Sequence, residues 1–273
     1  MVIPDPPLSQ QPATPFDLLE MKTREFYLRA LDIVDATGIP FVVGGAYALA
    51  YYTGIVRHTK DLDLFVKRGD APRVLAAFDR AGYRTAWTHP HWIAKAFSAD
   101  DEDYIDIIYG SGNNLTAVDG EWLAHAVDGQ VLGRAVKVCP AEEIIWSKSF
   151  IQERNRFDGA DVAHLLLARA DQLDWGRLLA RFSGHEPVLL SHLILFGYIY
   201  PTHRNQIPTS VIDYLSVRVR NAPLPGEKLC RGTFLSFNQY LTDINEWGYV
   251  DARLAPNGTM TAEQIERWTH APK

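Results

Sequence analysis

The sequence predicts an α+β protein: an N-terminal α/β domain with a mixed sheet, followed by an all-α C-terminal domain. Three observations carry this reading. Runs with the period-two alternation of strands, such as Asp61-Leu62-Asp63-Leu64-Phe65-Val66, are confined to the first half of the chain. From Pro140 onward nearly every segment spaces its apolar residues as a helix does, and such segregation marks the α+β class. The length of 273 residues, at roughly 150 per domain, leaves room for two modest domains. Residues 17–139 are assigned to the first and 140–273 to the second. Residues 1–16, with Pro4, Pro6, Pro7, Pro12 and Pro15, are read as a flexible proline-rich arm.

Taken in order, residues 17–36 place Leu19, Phe26, Leu31, Ile33 and Val34 at helical spacing, with Thr37-Gly38 as a stop before Pro40. Residues 41–43 form a short buried strand, Gly44-Gly45 a turn, and residues 46–52 a second helix ended by Gly54. The strand at 61–66 is followed by a helix at 71–81 closed by Gly82. Strands are expected at 83–87, 94–98, 104–109 and 131–138. Helices follow at 141–156, 159–170, 174–182, 186–200 and 209–220, with a further one at 234–246.

Charge and cysteine content narrow the function. Lys and Arg number 27 against 33 Asp and Glu, a net charge of −6; proteins that grip nucleic-acid phosphates without sequence preference are usually basic. That leaves room only for a local basic cleft. Cys139 and Cys230 stand far apart, so neither a disulfide framework nor a thiolate zinc site is expected. The apolar run 188–200 is broken by Ser191 and His192 and is shorter than the roughly 20 residues of a membrane-spanning helix. A soluble, cytoplasmic protein with no membrane partner is expected.

The stretch 41–66 carries the chemistry. Side chains alternate along a strand, so Asp61 and Asp63 share one face while Leu62 and Leu64 enter the core. Two like charges held together repel unless a cation sits between them, and hard oxygen ligands suit Mg²⁺. Glycines at 44 and 45 let the backbone approach a ligand closely, and the N-terminus of the helix behind them offers N–H groups to a phosphate. Asp106, alone in the apolar strand Tyr104-Ile105-Asp106-Ile107-Ile108, supplies a third carboxylate, as metal ligand or as the base for an attacking hydroxyl. Phosphate beside carboxylate-held Mg²⁺ is the arrangement of phosphoryl or nucleotidyl transfer. In the helix from Ala141, Lys148 shares a face with Ile144 and Ile151; it either snorkels to water or neutralises a triphosphate in the cleft.

Gly44-Gly45, Asp61-x-Asp63 and the isolated strand Asp106 together resemble the polymerase-β-type nucleotidyltransferase superfamily, which contains antibiotic nucleotidyltransferases and AbiEii/MenT-type toxins. The resemblance covers roughly residues 25–165. It implies that residues 17–139 form a nucleotidyltransferase catalytic domain, that Asp61 and Asp63 bind the metals carrying a nucleoside triphosphate, and that Asp106 assists the acceptor. Lys148 and Asp161, with Asp158 beside them, resemble the later Lys and Asp motifs of the AbiEii/MenT-type enzymes, which assigns them with Gly44, Gly45 and Lys60 to the nucleotide site. The implied reaction moves a nucleoside monophosphate from an NTP, with Mg²⁺, to a hydroxyl on tRNA or a small molecule; a toxin-like member would also have an antitoxin partner. Fifteen residues, Ala46 to Lys60, separate Gly45 from Asp61, a long spacing that calls for an extended helix or exit loop.

The competing reading is a non-catalytic nucleotide- or protein-binding module on the same fold, whose mark would be a missing carboxylate; all three are present. Arg154 and Arg156 read as a solvated helix start or salt-bridge partners. His89-Pro90-His91-Trp92 has no cysteine or carboxylate at zinc-ligand spacing and reads as a loop. His192, in an apolar helix, reads as a satisfied core residue.

Overall fold

In the computed structural model, which describes residues 19–57, 59 and 61–269, the alternation at 61–65 buries Leu62 and Leu64 completely and leaves Asp61, Asp63 and Phe65 half-buried. The proline-rich arm at 1–16 and Lys60 lie outside the described residues.

The first half runs α1 (Met21–Ala36), β1 (Val42–Val43), α2 (Gly45–Thr53), β2 (Asp61–Phe65), α3 (Ala71–Arg80), β3 (Thr85–His89), β4 (Ile93–Phe97), β5 (Tyr104–Ile108), α4 (Gly120–Ala124), β6 (Val127–Val131) and β7 (Arg134–Val138). Its strands form one mixed sheet in the order β3-β4-β5-β2-β1-β7-β6. β2 pairs parallel with β5, and β1 antiparallel with β2. The β2–β5 register sets Asp63 directly opposite Asp106. β1 runs beside β2 and delivers the chain to the N-terminus of α2 next to that pair.

The second half holds α5 (Ala141–Ser149), α6 (Gly159–Arg169), α7 (Trp175–Arg181), α8 (Glu186–Ile199), α9 (Thr209–Arg220), β8 (Leu229–Cys230), α10 (Leu241–Asn245), β9 (Val250–Asp251) and α11 (Ala262–Thr269). Helices dominate as expected, with one addition: β8 and β9 form a two-residue parallel ladder. Among the described residues no helix is long and apolar enough to cross a membrane. One hydrophobic cluster runs from Tyr27 and Leu31 on α1 through Leu62, Leu64, Ile105 and Ile107 to Leu165, Phe196 and Leu215.

Three expected elements are corrected. The single strand at 131–138 is a hairpin, because Leu132 and Gly133 both take positive φ (57° and 80°), the two-residue turn whose twist matches flanking strands. The helix expected at 141–156 stops at Ser149. Arg154-Asn155 is instead a tight turn closed by mutual backbone bonds between Glu153 and Arg156, and the next helix starts only at Gly159. The helix expected at 234–246 shrinks to a 3-10 turn at Gly232–Phe234 and to α10.

Buried charge ties the helices to the sheet domain. Glu143 is fully buried and accepts from Arg177 Nη1 at 2.6 Å and Arg181 Nη2 at 3.2 Å, while Arg181 also donates to Asp119, the N-cap of α4. Glu142 accepts the Asp174 N–H at 2.7 Å. Each of the two buried glutamates is thus met by donors from α7 or its N-cap, the condition under which burying charge is tolerable.

Candidate active site

Asp61 opens β2, and its geometry is set from the preceding loop: Thr59 Oγ1 donates to Asp61 Oδ1 at 2.6 Å. Asp63 follows two residues on, and Asp106 faces it from β5. One carboxylate oxygen from each of the three lies within 4.8 Å of the others, with Asp106 buried and Asp61 and Asp63 half-buried. Among the described residues this is the one cluster of carboxylates, histidines and cysteines close enough to hold a metal. The strand pleat and the parallel register suffice to bring it together.

The electrostatics show what the cluster lacks. Burial, then the charges of Asp61 and Asp106, push the Asp63 carboxyl up to about 8, against the opposing pull of Lys148 and Arg156. Burial also raises the Asp106 carboxyl, against the pull of Lys95, whose Nζ lies 2.6 Å from Asp106 Oδ1. Asp63 and Asp106 therefore resist ionising unless a further cation arrives. Three hard oxygen donors short of positive charge fit a divalent cation such as Mg²⁺.

Gly44 and Gly45 are required by the close approach of β2. A Cβ at Gly45 would fall 1.7 Å from Asp63 Oδ2, and Gly45 has a φ of +56°; a Cβ at Gly44 would fall 2.2 Å from the Phe65 ring. The Gly44 N–H donates to the Asp63 carbonyl at 3.0 Å. The turn thus presses the first turn of α2 against the carboxylate that the metal would need. Gly45→Ala is expected to displace Asp63 and cut the transfer rate by about 100-fold, the effect of an ångström's misplacement, while strain at positive φ costs about 1–3 kcal/mol. Steady-state kinetics beside a thermal melt checks both; an unchanged kcat would show that Asp63 need not sit against this turn.

A second charged cluster adjoins the first. Lys148 Nζ on α5 lies 2.8 Å from both Asp158 Oδ2 and Asp161 Oδ2. Arg57, from the loop after α2, reaches Asp161 at 2.5 Å, and Arg156 forks onto Asp158 with two 3.0 Å bonds. Lys148 does not snorkel to water: its side chain is 16% exposed and ion-paired with these two carboxylates. Burial alone would raise the Asp158 carboxyl, but the Arg156 bonds and the Lys148 charge hold it below its ordinary value. Because Lys148 and Arg156 also act on Asp63, the two clusters form one electrostatic unit.

The histidines take structural positions. His192 is buried, and its Nε2 is 3.0 Å from the Ser149 carbonyl. His89, His91 and Trp92, at the β3–β4 turn, pack edge-on against Trp268 of α11. The loop after β5 anchors the C-terminal segment, with Asn113 donating to the Phe234 carbonyl and Asn114 to Thr259. Sequence reasoning missed Thr59 and Lys95 as site residues. The Thr59–Asp61 cap is local enough to be read from spacing. Lys95 left one signal, a lysine between Ala94 and Ala96 in an apolar strand.

The family model for aminoglycoside-2''-adenylyltransferase matches residues 27–144, which include Gly44, Gly45, Asp61, Asp63 and Asp106. This span is similar to a nucleotidyltransferase family. Solved structures similar to this chain include the antibiotic-resistance factor ANT(2'')-Ia, at 17% identity over 64% of this chain and 98% of that one (TM-score 0.46). The lincomycin-bound lincosamide adenylyltransferase LnuA is 15% identical over 55% and 99% of the two chains (0.39). An antigenic nucleotidyltransferase-like protein from Paracoccidioides brasiliensis is 15% identical over 71% and 94% (0.41). No curated protein matches the chain. Lys148 on α5, Asp158 as the N-cap of α6 and Asp161 on α6 lie beyond the matched span.

Proposed function

We propose that this nucleotidyltransferase moves a nucleoside monophosphate from an NTP to a hydroxyl acceptor with Mg²⁺, releasing pyrophosphate. The observation that carries the reading is the convergence of Asp61, Asp63 and Asp106 within 4.8 Å beside a glycine turn that opens a helix. Asp61 and Asp63 would hold the metal, which when bound would supply positive charge to the phosphates. Asp106 accepts the proton of the acceptor hydroxyl. The hydroxyl oxygen bonds to the α-phosphorus, the bond from that phosphorus to the bridging oxygen breaks, and the electron pair leaves with pyrophosphate. Gly44, Gly45 and Lys148 contact the phosphates, Lys60 is assigned to them on the sequence resemblance alone, and Asp161 orients Lys148.

The family match at 27–144 supports ATP as donor and an aminoglycoside hydroxyl as acceptor. The test incubates the protein with each α-³²P-labelled NTP and Mg²⁺, adding an aminoglycoside panel, lincosamides or total tRNA, with Asp63→Asn as control. Asp63-dependent label on an aminoglycoside is the expected result. Label on a lincosamide or on tRNA would keep the reaction and change the acceptor, the tRNA outcome prompting a search for an antitoxin. Nucleotide binding with no Asp63-dependent label on any acceptor would overturn the reading in favour of a non-catalytic module.

A further inference from the structure

We propose that Lys95 divides the carboxylate cluster, tying Asp106 to the acceptor side and leaving Asp61 and Asp63 as the resting metal pair. The inference rests on the nucleotidyl-transfer reading above, with its division of duties among the three carboxylates, and goes beyond it by assigning Lys95 as the residue that enforces the division. Lys95 on β4 pairs across the strand with Asp106 on β5, and its ammonium meets Asp106 Oδ1 at 2.6 Å. The same ammonium lies 3.5 Å from the centroid of the Tyr104 ring, a cation–π contact. Two partners from one strand therefore fix its position, with side-chain exposure of 20% for Lys95 and 10% for Asp106.

The asymmetry is the point. Among the described residues Asp106 is the one member of the cluster in a salt bridge; Asp61 takes a neutral hydroxyl from Thr59, and no described lysine or arginine forms an ion pair with Asp61 or Asp63. A fold that needed only to tolerate a buried aspartate at 106 would do as well with an apolar pair, since buried ion pairs add little net stability. A cation already bound to Oδ1 weakens that carboxylate as a metal ligand and leaves its second oxygen for a hydroxyl. Lys95 is thus a positioning residue, acting through Asp106.

The test uses Mn²⁺ as the probe, titrated by electron paramagnetic resonance without nucleotide, on wild type, Lys95→Met, Asp106→Asn and the double variant. In wild type Asp106→Asn is expected to change the Mn²⁺ Kd less than threefold. Lys95→Met is expected to tighten it about tenfold, converting Asp106 into a ligand, and adding Asp106→Asn should cancel that gain. In turnover, Lys95→Met should lower kcat with KM for the NTP within threefold, and Lys95→Arg should restore most of the rate. A wild-type Asp106→Asn loss of Mn²⁺ affinity as large as that of Asp63→Asn would overturn the proposal, as would an unchanged Kd in Lys95→Met. Should Lys95→Met fail to fold in a thermal melt, the Asp106→Asn and Lys95→Arg measurements still decide. The Mn²⁺ titrations need no substrate, so their failure is distinct from a failure of nucleotidyl transfer, which would show as no Asp63-dependent label.

Discussion

Asp63→Asn is expected to lower nucleotidyl transfer by at least about 1,000-fold, the upper range for one preorganised electrostatic group, and yet to stabilise the metal-free protein at alkaline pH. The sign follows from the raised carboxyl. An unfolded Asp titrates near 3.9, whereas burial and the neighbouring Asp61 and Asp106 hold Asp63 near about 8 in the fold. Between those values the folded state keeps a proton that the unfolded state has lost, so stability falls as pH rises through this window. Asparagine removes the dependence while keeping the shape. With EDTA present, the variant should melt above wild type by roughly 4 °C or more at pH 8, from about 1–2 kcal/mol in a chain of this size, and the gap should close towards pH 4. Mg²⁺ should raise the wild-type Tm far more than the variant's, since a ligand stabilises only the state that binds it. A variant that melted below wild type at pH 8 in EDTA would show that Asp63 is not a strained, metal-awaiting carboxylate.

Much of this was legible in the chain because it depends on local rules. The alternation Asp61-Leu62-Asp63-Leu64 and the Gly-Gly turn each act within a few residues, and the α+β division follows from where periods of two and 3.6 prevail. The lone Asp in 104–108 could be flagged for the same reason, although its seat opposite Asp63 depends on β2 and β5 being neighbours. Lys95 was invisible because its meaning comes from β4–β5 pairing, a contact that no periodicity within β4 encodes. The hairpin at Leu132-Gly133 reads as one strand in the sequence because leucine rarely takes positive φ, so the turn carries only half its usual signal. Beyond Arg220 the chain relies on specific tertiary contacts, such as Asp251 with the fully buried Arg253, and pattern reading loses its grip there.

Lys148→Met should produce the other large effect, and it separates two roles that the geometry superimposes. Lys148 bridges Asp158 and Asp161, which are 10% and 8% exposed at their side chains. Removing one partner from such a group leaves charge buried and costs about 3–5 kcal/mol; Arg156 and Arg57 remain on the two carboxylates, which favours about 3 kcal/mol. Asp63 simultaneously loses a cation that opposes its raised carboxyl, so in the metal-free protein that carboxyl should be raised further. If Lys148 also contacts the triphosphate, the KM for the NTP should rise at least about tenfold, the loss of one charge-assisted hydrogen bond of about 1.5–3 kcal/mol. Pairing Lys148→Met with Asp158→Asn distinguishes the roles, because the second change removes a stranded charge without restoring a cation. The double variant is expected to regain most of the melting temperature while its KM stays raised. Recovery of both would make Lys148 a staple between α5 and α6 and remove it from the nucleotide site. A KM that remains high in a protein of normal stability can come only from a missing contact to the nucleotide or its metal, and Mn²⁺ titration without nucleotide then tells those two apart.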